Sequence, residues 1–146
     1  MSQPKVLIVE DDQPIRTLLV AAMRRDPLEI HTAADGLIAL ELVRANEYAV
    51  ILLDLMLPRV NGFEFLDQLE AVERRGARPI TIVMTAFDGA AIKRLGSMRV
   101  QAILHKPFDV ERVVEIVRDC ALLHAEHVTA LACKHPVSER SQTAVS

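Results

Sequence analysis

Five short apolar runs alternate along the chain with segments of helical periodicity. The runs are KVLIV, LEIHTA, AVILLD, PITIVMT and QAILHK, at residues 5–9, 28–33, 49–54, 79–85 and 101–106. Apolar positions with helical spacing predict helices near 13–25, 36–46, 62–72 and 88–98, and a fifth from about 109. Strands that alternate with helices predict an α/β fold, in which a parallel sheet carries helices on both faces.

The runs themselves differ in composition. The first, third and fourth are nearly continuous in Val, Ile and Leu, as is typical of strands that are buried on both faces. Asp12 and Asp35 precede the first two helices, where their carboxylates are predicted to cap the free N–H groups.

The fifth predicted helix carries a broad apolar stripe. The stripe consists of positions 110, 113, 114, 117 and 121, widened by 116, 120 and 123. Beyond Lys134 the chain is polar and without period, so a disordered tail is predicted. The sequence therefore predicts one folded domain over 1–123, followed over 124–146 by an extension of the last helix and the tail. The width of the stripe makes a self-association or partner surface on this helix an expectation.

Composition narrows the function classes. The 146 residues suffice for one well-buried domain. A net charge of −3 and 3% aromatic residues argue against a nucleic-acid surface. No apolar run is long enough to span a membrane, and the N-terminus lacks the pattern of a signal peptide. We therefore expect a cytoplasmic protein that binds neither nucleic acid nor membrane, with Cys120 and Cys133 as reduced thiols.

Polar side chains follow the predicted strands where their carboxyl ends meet. Glu10 and Asp11 follow the first strand, and the third, fourth and fifth end at Asp54, Thr85 and Lys106. Ligands of open parallel sheets bind at this edge. Three carboxylates, a hydroxyl and an ammonium are therefore expected to lie together.

Such a cluster requires a cation. Two carboxylates ~5 Å apart repel by roughly 3 kcal/mol at an effective dielectric of about 20. Oxygen ligands with open positions suit Mg²⁺, or Mn²⁺, and not zinc. Lys106 supplies a point charge that can meet an anion. Together these groups predict phosphoryl transfer onto a carboxylate.

Four motifs carry a family resemblance. VLIVEDDQPIR, ILLDLMLPRVNG, IVMTA and HKPF, in this order and spacing, resemble the receiver domain of two-component response regulators over about residues 4–123. The resemblance implies a flavodoxin-like (βα)5 three-layer sandwich with strand order 2-1-3-4-5. It also implies a signalling phosphoacceptor that catalyses only its own phosphorylation and dephosphorylation.

The same resemblance implies residue roles and partners. Asp54 would accept a phosphoryl group from a sensor histidine kinase or a histidine phosphotransfer protein. Thr85 and Lys106 would contact the phosphoryl oxygens, and the Lys106–Pro107 bond resembles one that is cis in the family. The implied Mg²⁺ ligands are Glu10 and Asp11, directly or through water, Asp54, and the backbone carbonyl of Met56. The implied output is a changed surface on the fourth helix, fifth strand and fifth helix, which an unidentified downstream protein or a second copy in a homodimer would bind.

One position departs from the family pattern. Three residues before Lys106 the family usually places an aromatic residue or His, and this chain has Ile103. We therefore expect the phosphorylation signal to leave through the segment 86–98 and its contacts with the last helix.

Three alternative interpretations remain. A phosphatase of the haloacid dehalogenase type would need a second acid two residues after the nucleophile, where this chain has Met56. A receiver that only binds partners would show a gap in the residue set, and the sequence shows none. Cys120, His124 and His127 are metal-ligand types on one face of the last helix, but their spacing favours a plain helical face over a zinc site.

Overall fold

Five strands and five helices alternate in the computed structural model, which describes residues 3–72, 76–86, 89–96 and 98–134, the last five and residue 91 by backbone alone. The strands are β1 (Lys5–Val9), β2 (Glu29–Ala33), β3 (Val50–Asp54), β4 (Ile80–Thr85) and β5 (Ala102–His105). The helices are α1 (Gln13–Met23), α2 (Gly36–Ala45), α3 (Gly62–Ala71), α4 (Gly89–Leu95) and α5 (Val110–Lys134). The ten predicted elements are thus confirmed, with small shifts at their ends. Positions 88 and 97 of the predicted fourth helix lie outside the described residues.

The five strands form one parallel sheet in the order β2-β1-β3-β4-β5. This is the order that the resemblance implies. The register pairs Asp54 with Met84 and Thr85 with His105. The ends of β3, β4 and β5 are therefore level to within one residue, and the polar residues at these ends share one edge of the sheet.

Two hydrophobic cores, one on each face of the sheet, make three layers. Alternate residues of a strand point to opposite faces, so Leu7 packs with α2 and α3 while Ile8 packs with α1 and α5. Every residue of β3 and β4 is buried, as their continuous apolar composition predicts. Asp12 and Asp35 cap α1 and α2 by accepting backbone N–H groups at 3.1 and 2.9 Å. The three-layer α/β sandwich is confirmed.

Helix α5 packs its apolar stripe into the domain. Val113, Val117 and Ala121 are buried in the core that α1 shares, so the stripe does not provide a free partner surface. Among the α5 side chains that the structure describes, the large apolar ones that are exposed are Leu122 and Val128. A domain limit at residue 123 stays a prediction, and the tail after Lys134 lies outside the described residues.

Among the helices described, none combines the length and the apolar character needed to cross a membrane.

Candidate functional site

Glu10, directly after β1, is completely buried and held by hydrogen bonds at both its backbone and its carboxylate. Its backbone N–H donates to the carbonyl oxygen of Ala33 at 3.0 Å, and its own carbonyl oxygen accepts from Arg16 at 2.8 Å. Its Oε2 accepts the backbone N–H of Asp12 at 3.1 Å. The carboxylate is therefore fixed at the carboxyl edge of the sheet. Sequence reasoning missed Arg16, whose place in the first turn of α1 was an available signal.

Lys106 joins the carboxylates that follow β1 and β3. Its Nζ lies 2.9 Å from Oε1 of Glu10 and 2.9 Å from Oδ2 of Asp54. Asp54 is 4% exposed, and its Oδ1 accepts the backbone N–H of Met56 at 3.0 Å. Both oxygens of Asp54 are thus oriented by neighbours, and the predicted meeting of these residues is observed.

Asp11 completes a group of three carboxylates. One oxygen each from Glu10, Asp11 and Asp54 lie within 4.8 Å of one another, and Asp11 is the exposed member. Three carboxylates against one ammonium leave an excess of negative charge. Oxygen donors with one side open to solvent are what Mg²⁺ and Mn²⁺ prefer, so the residues present fit such an ion.

The cluster shifts the pKa values of its members. Burial raises the pKa of Glu10 to about 7; the nearby Asp54 also raises it, while Lys106 and the N–H of Asp12 lower it. Burial opposes the charge on Lys106, but the carboxylates of Glu10 and Asp54 prevail and raise its pKa. The lysine therefore remains an ammonium at neutral pH, and a cation bound at the cluster would favour the ionised form of Glu10.

Two further predicted site residues, Thr85 and Met56, lie at the end of β4 and two residues after the end of β3. Thr85 is completely buried at the end of β4, and its carbonyl oxygen accepts the backbone N–H of Lys106 at 2.9 Å. The Lys106–Pro107 bond is cis. The side chain of Met56 is 56% exposed, and the contact of Met56 with Asp54 is made by its backbone N–H.

A cleft of about 760 Å³ opens over the carboxylates. Its floor is acidic, and Phe63 and Arg94 stand on its wall with the guanidinium carbon 4.1 Å from the ring centroid. Sequence reasoning did not single out this cation–π pair, because residues on α3 and α4 meet only through the fold. Asp54 lines this cleft together with Glu10, Asp11 and Lys106.

Cys120, His124 and His127 do not form a metal site. Within the described part of the chain, the only group of three or more potential ligands is the carboxylate cluster. Cys120 is a buried free thiol, whereas the side chains of Cys133 and His135 lie outside the described residues. The plain helical face is therefore the better interpretation of the three described residues.

Comparisons with known proteins give a consistent family. The family model described as the response regulator receiver domain matches residues 6–118. The transcriptional regulatory protein SrrA of Staphylococcus aureus is 35% identical over 134 residues, which cover 90% of this chain and 53% of that protein. The chain thus spans about half the length of this curated relative.

Solved receiver domains have the same fold. The receiver domain of the Francisella response regulator 1452 is 27% identical, with a TM-score of 0.72 over 83% of this chain and 98% of that one. A CheY-like receiver domain protein of Methanospirillum hungatei superposes with a TM-score of 0.76 over 86% and 98%, and its 21% identity bears on the fold alone. The flavodoxin-like topology, the edge cluster and the family match agree: this chain belongs to the response regulator receiver family, the signalling domains of two-component systems.

Proposed function

We propose that Asp54 accepts a phosphoryl group from a sensor histidine kinase or a histidine phosphotransfer protein, in a reaction that depends on Mg²⁺. The observation that carries this proposal is the fixed, nearly buried Asp54 carboxylate, which faces an open cleft between Lys106 and the acids Glu10 and Asp11. Its two oxygens accept hydrogen bonds from different partners, so the nucleophile is oriented before a donor arrives.

The residues divide the work of the transfer. A carboxylate oxygen of Asp54 bonds to phosphorus as the phosphorus–nitrogen bond of the donor histidine breaks, and the electron pair of that bond stays with the imidazole. Lys106 is placed to exchange a carboxylate for the anionic phosphoryl oxygens, because its ammonium already bridges two acids. Thr85 offers its hydroxyl from the neighbouring strand.

Glu10, Asp11, Asp54 and the carbonyl of Met56 are the proposed ligands of the ion. A bound Mg²⁺ would supply positive charge to offset the charge on the phosphoryl oxygens. The domain catalyses only its own phosphorylation and dephosphorylation. Its output is a changed surface on α4, β5 and α5, which an unidentified downstream protein or a second copy would bind.

The phosphoacceptor assignment is tested by intact-protein mass spectrometry after incubation with acetyl phosphate and Mg²⁺. The wild type should gain one phosphoryl group, and Asp54→Asn none. Asp12→Asn is the matched control, because Asn also caps helices and Asp12 lies outside the carboxylate cluster. Labelling of Asp54→Asn at the wild-type level would refute the assignment.

A further inference from the structure

The loop that follows the phosphoacceptor, residues 55–61 and called here the β3–α3 loop, is fastened to the N-terminus of α2. Arg59 donates from Nε and from a terminal nitrogen to Oδ2 of Asp35, at 3.1 and 2.6 Å. The other oxygen of Asp35 caps α2 through the backbone N–H of Ile38 at 2.9 Å. One carboxylate thus fixes both the helix start and the loop.

Two close approaches show how tightly this loop is packed. A Cβ on Gly36, the first residue of α2, would overlap the carbonyl oxygen of Val60. A Cβ on Gly62 would lie 2.5 Å from the Cα of Leu55. Leu55 at the start of the loop and Val60 near its end are therefore each packed against a position where only glycine fits.

The tip of the loop carries a strained residue. Arg59 has a φ of 66°, a left-handed conformation that is unfavourable for a residue with a Cβ. Burial opposes the charge on Asp35, but the N–H of Ile38 and the guanidinium of Arg59 prevail and hold its pKa below its ordinary value. The ion pair therefore compensates for an unfavourable backbone conformation.

The loop is connected to the carboxylate cluster through Met56, whose backbone N–H donates to Oδ1 of Asp54 at 3.0 Å. Pro58 stiffens the chain between Met56 and Arg59. A displacement of Arg59 would therefore turn the peptide that orients Asp54.

We infer that Arg59 and Asp35 are positioning residues that set the affinity of the Glu10–Asp11–Asp54 cluster for Mg²⁺. They act through the β3–α3 loop and touch neither the ion nor the phosphoryl group. This inference rests on the proposed function, since it assumes that the cluster binds Mg²⁺.

The chain offers a closely matched control. Arg118 of α5 donates to Asp26 at 2.8 and 3.3 Å, and its side-chain exposure is 49%, with 11% for Asp26. The corresponding values for Arg59 and Asp35 are 54% and 12%. The control pair joins α5 to the chain after α1, away from the β3–α3 loop.

The test is the Mg²⁺ dissociation constant measured by titration calorimetry, with urea unfolding in EDTA to verify that each variant is folded. Arg59→Asn places a residue that tolerates the left-handed region and replaces the guanidinium side chain with a short, uncharged amide. We expect it to weaken Mg²⁺ binding about tenfold, the low end of the effect of losing an outer-shell partner. Asp35→Asn should weaken binding equally, because Asn still caps α2, and the double variant should be no weaker than either.

Arg59→Lys keeps the positive charge and should bind Mg²⁺ more tightly than Arg59→Asn, though less tightly than the wild type. Arg118→Ala should bind Mg²⁺ as the wild type does. Wild-type affinity in both Arg59→Asn and Asp35→Asn would overturn the inference and leave the proposed function standing. Failure of the wild type itself to bind Mg²⁺ would overturn both. A loss of Mg²⁺ affinity in Arg118→Ala equal to that in Arg59→Asn would also overturn the inference. Removing any surface ion pair would then have the same effect on Mg²⁺ binding.

Discussion

At the scale of single residues, Lys106 determines how the carboxylate cluster can coexist with a hydrophobic interior. Glu10 and Asp54 are almost completely buried, and the ammonium 2.9 Å from each is the cation that the described residues place between them. Removing one partner of a buried ion pair is costly because it leaves the other charge uncompensated. Lys106 therefore has a structural role before any phosphoryl group arrives.

Asp11 has the opposite character, because it is exposed and adds only negative charge to the cluster. Asp11→Asn should raise the free energy of unfolding of the metal-free protein by about 0.5–1 kcal/mol, since exposure screens the relieved repulsion. It should also weaken Mg²⁺ binding by more than the ~10-fold that loss of an outer-shell partner costs. Urea unfolding in EDTA and calorimetric titration measure the two effects. Unchanged Mg²⁺ affinity would contradict the proposed ligand set.

His124 of α5 gives a pH dependence that is separate from the cluster. Burial lowers its pKa below 6.5, helped by His127 and opposed by the backbone of Ala77 and the charge of Glu47. Among the described residues its Nε2 has no hydrogen-bond partner. The unfolded chain thus binds a proton more readily than the folded one, so stability is lost as the pH falls below about 6.5.

His124→Gln should therefore lose less unfolding free energy than the wild type between pH 7.5 and pH 5. Urea unfolding at the two pH values measures the difference, and titration of the other groups cancels in the comparison. His105→Gln, a change at an exposed histidine on β5, should retain the wild-type acid sensitivity. Equal acid sensitivity in His124→Gln and the wild type would contradict the lowered pKa.

At the scale of elements, the periodicity of apolar residues was enough to predict the strands and helices. β3 and β4 are recognised by unbroken apolar composition, and the rule for parallel strand ends then brings Asp54, Thr85 and Lys106 together. The end of α4 was placed too late, although a signal existed: the N–H of Gly96 bonds back to Ile92 and Lys93 at 3.2 and 3.1 Å, and glycine commonly ends helices.

The contacts between loops and helices could not be predicted in the same way. Arg59 and Asp35 are 24 residues apart, and their pairing depends on how the β3–α3 loop docks. Arginine is not a residue that marks a left-handed turn, so the positive φ of Arg59 could not be predicted from the sequence. The pairing of Arg94 with Phe63 likewise follows only from the packing of α4 beside α3.

At the scale of the whole molecule, the position of Ile103 bears on how the proposed phosphorylation would change the surface of the protein. Ile103 is half-buried and packs against the core that includes Val83 and Leu95. It is β-branched and lacks a polar tip, so it cannot report its position through a hydrogen bond. A shift of Thr85 and Lys106 toward a phosphoryl group should instead displace α4 and the chain that follows β5.

Amide hydrogen exchange with and without beryllofluoride, a phosphate mimic, tests this route. We expect exchange to change chiefly in α4 and over residues 103–118, while β1 and β2 stay unchanged. Ile103→Tyr should alter the size of the effect, because a ring with a hydroxyl occupies the same position. Asp54→Asn is the control that should not respond. Bound mimic with unchanged exchange in α4 and 103–118 would exclude this route.

The length of α5 has a mechanical consequence. The helix starts four residues after Lys106 and stays packed against the domain as far as Leu123 and the partly buried His124. At ~1.5 Å per residue, the stretch from His124 to Lys134 forms an arm about 15 Å long. An arm of this kind is a lever whose fulcrum is the packed half of the helix. Any tilt of α5 that starts beside the proposed phosphorylation site therefore moves the far end of the arm over a longer path than the packed turns.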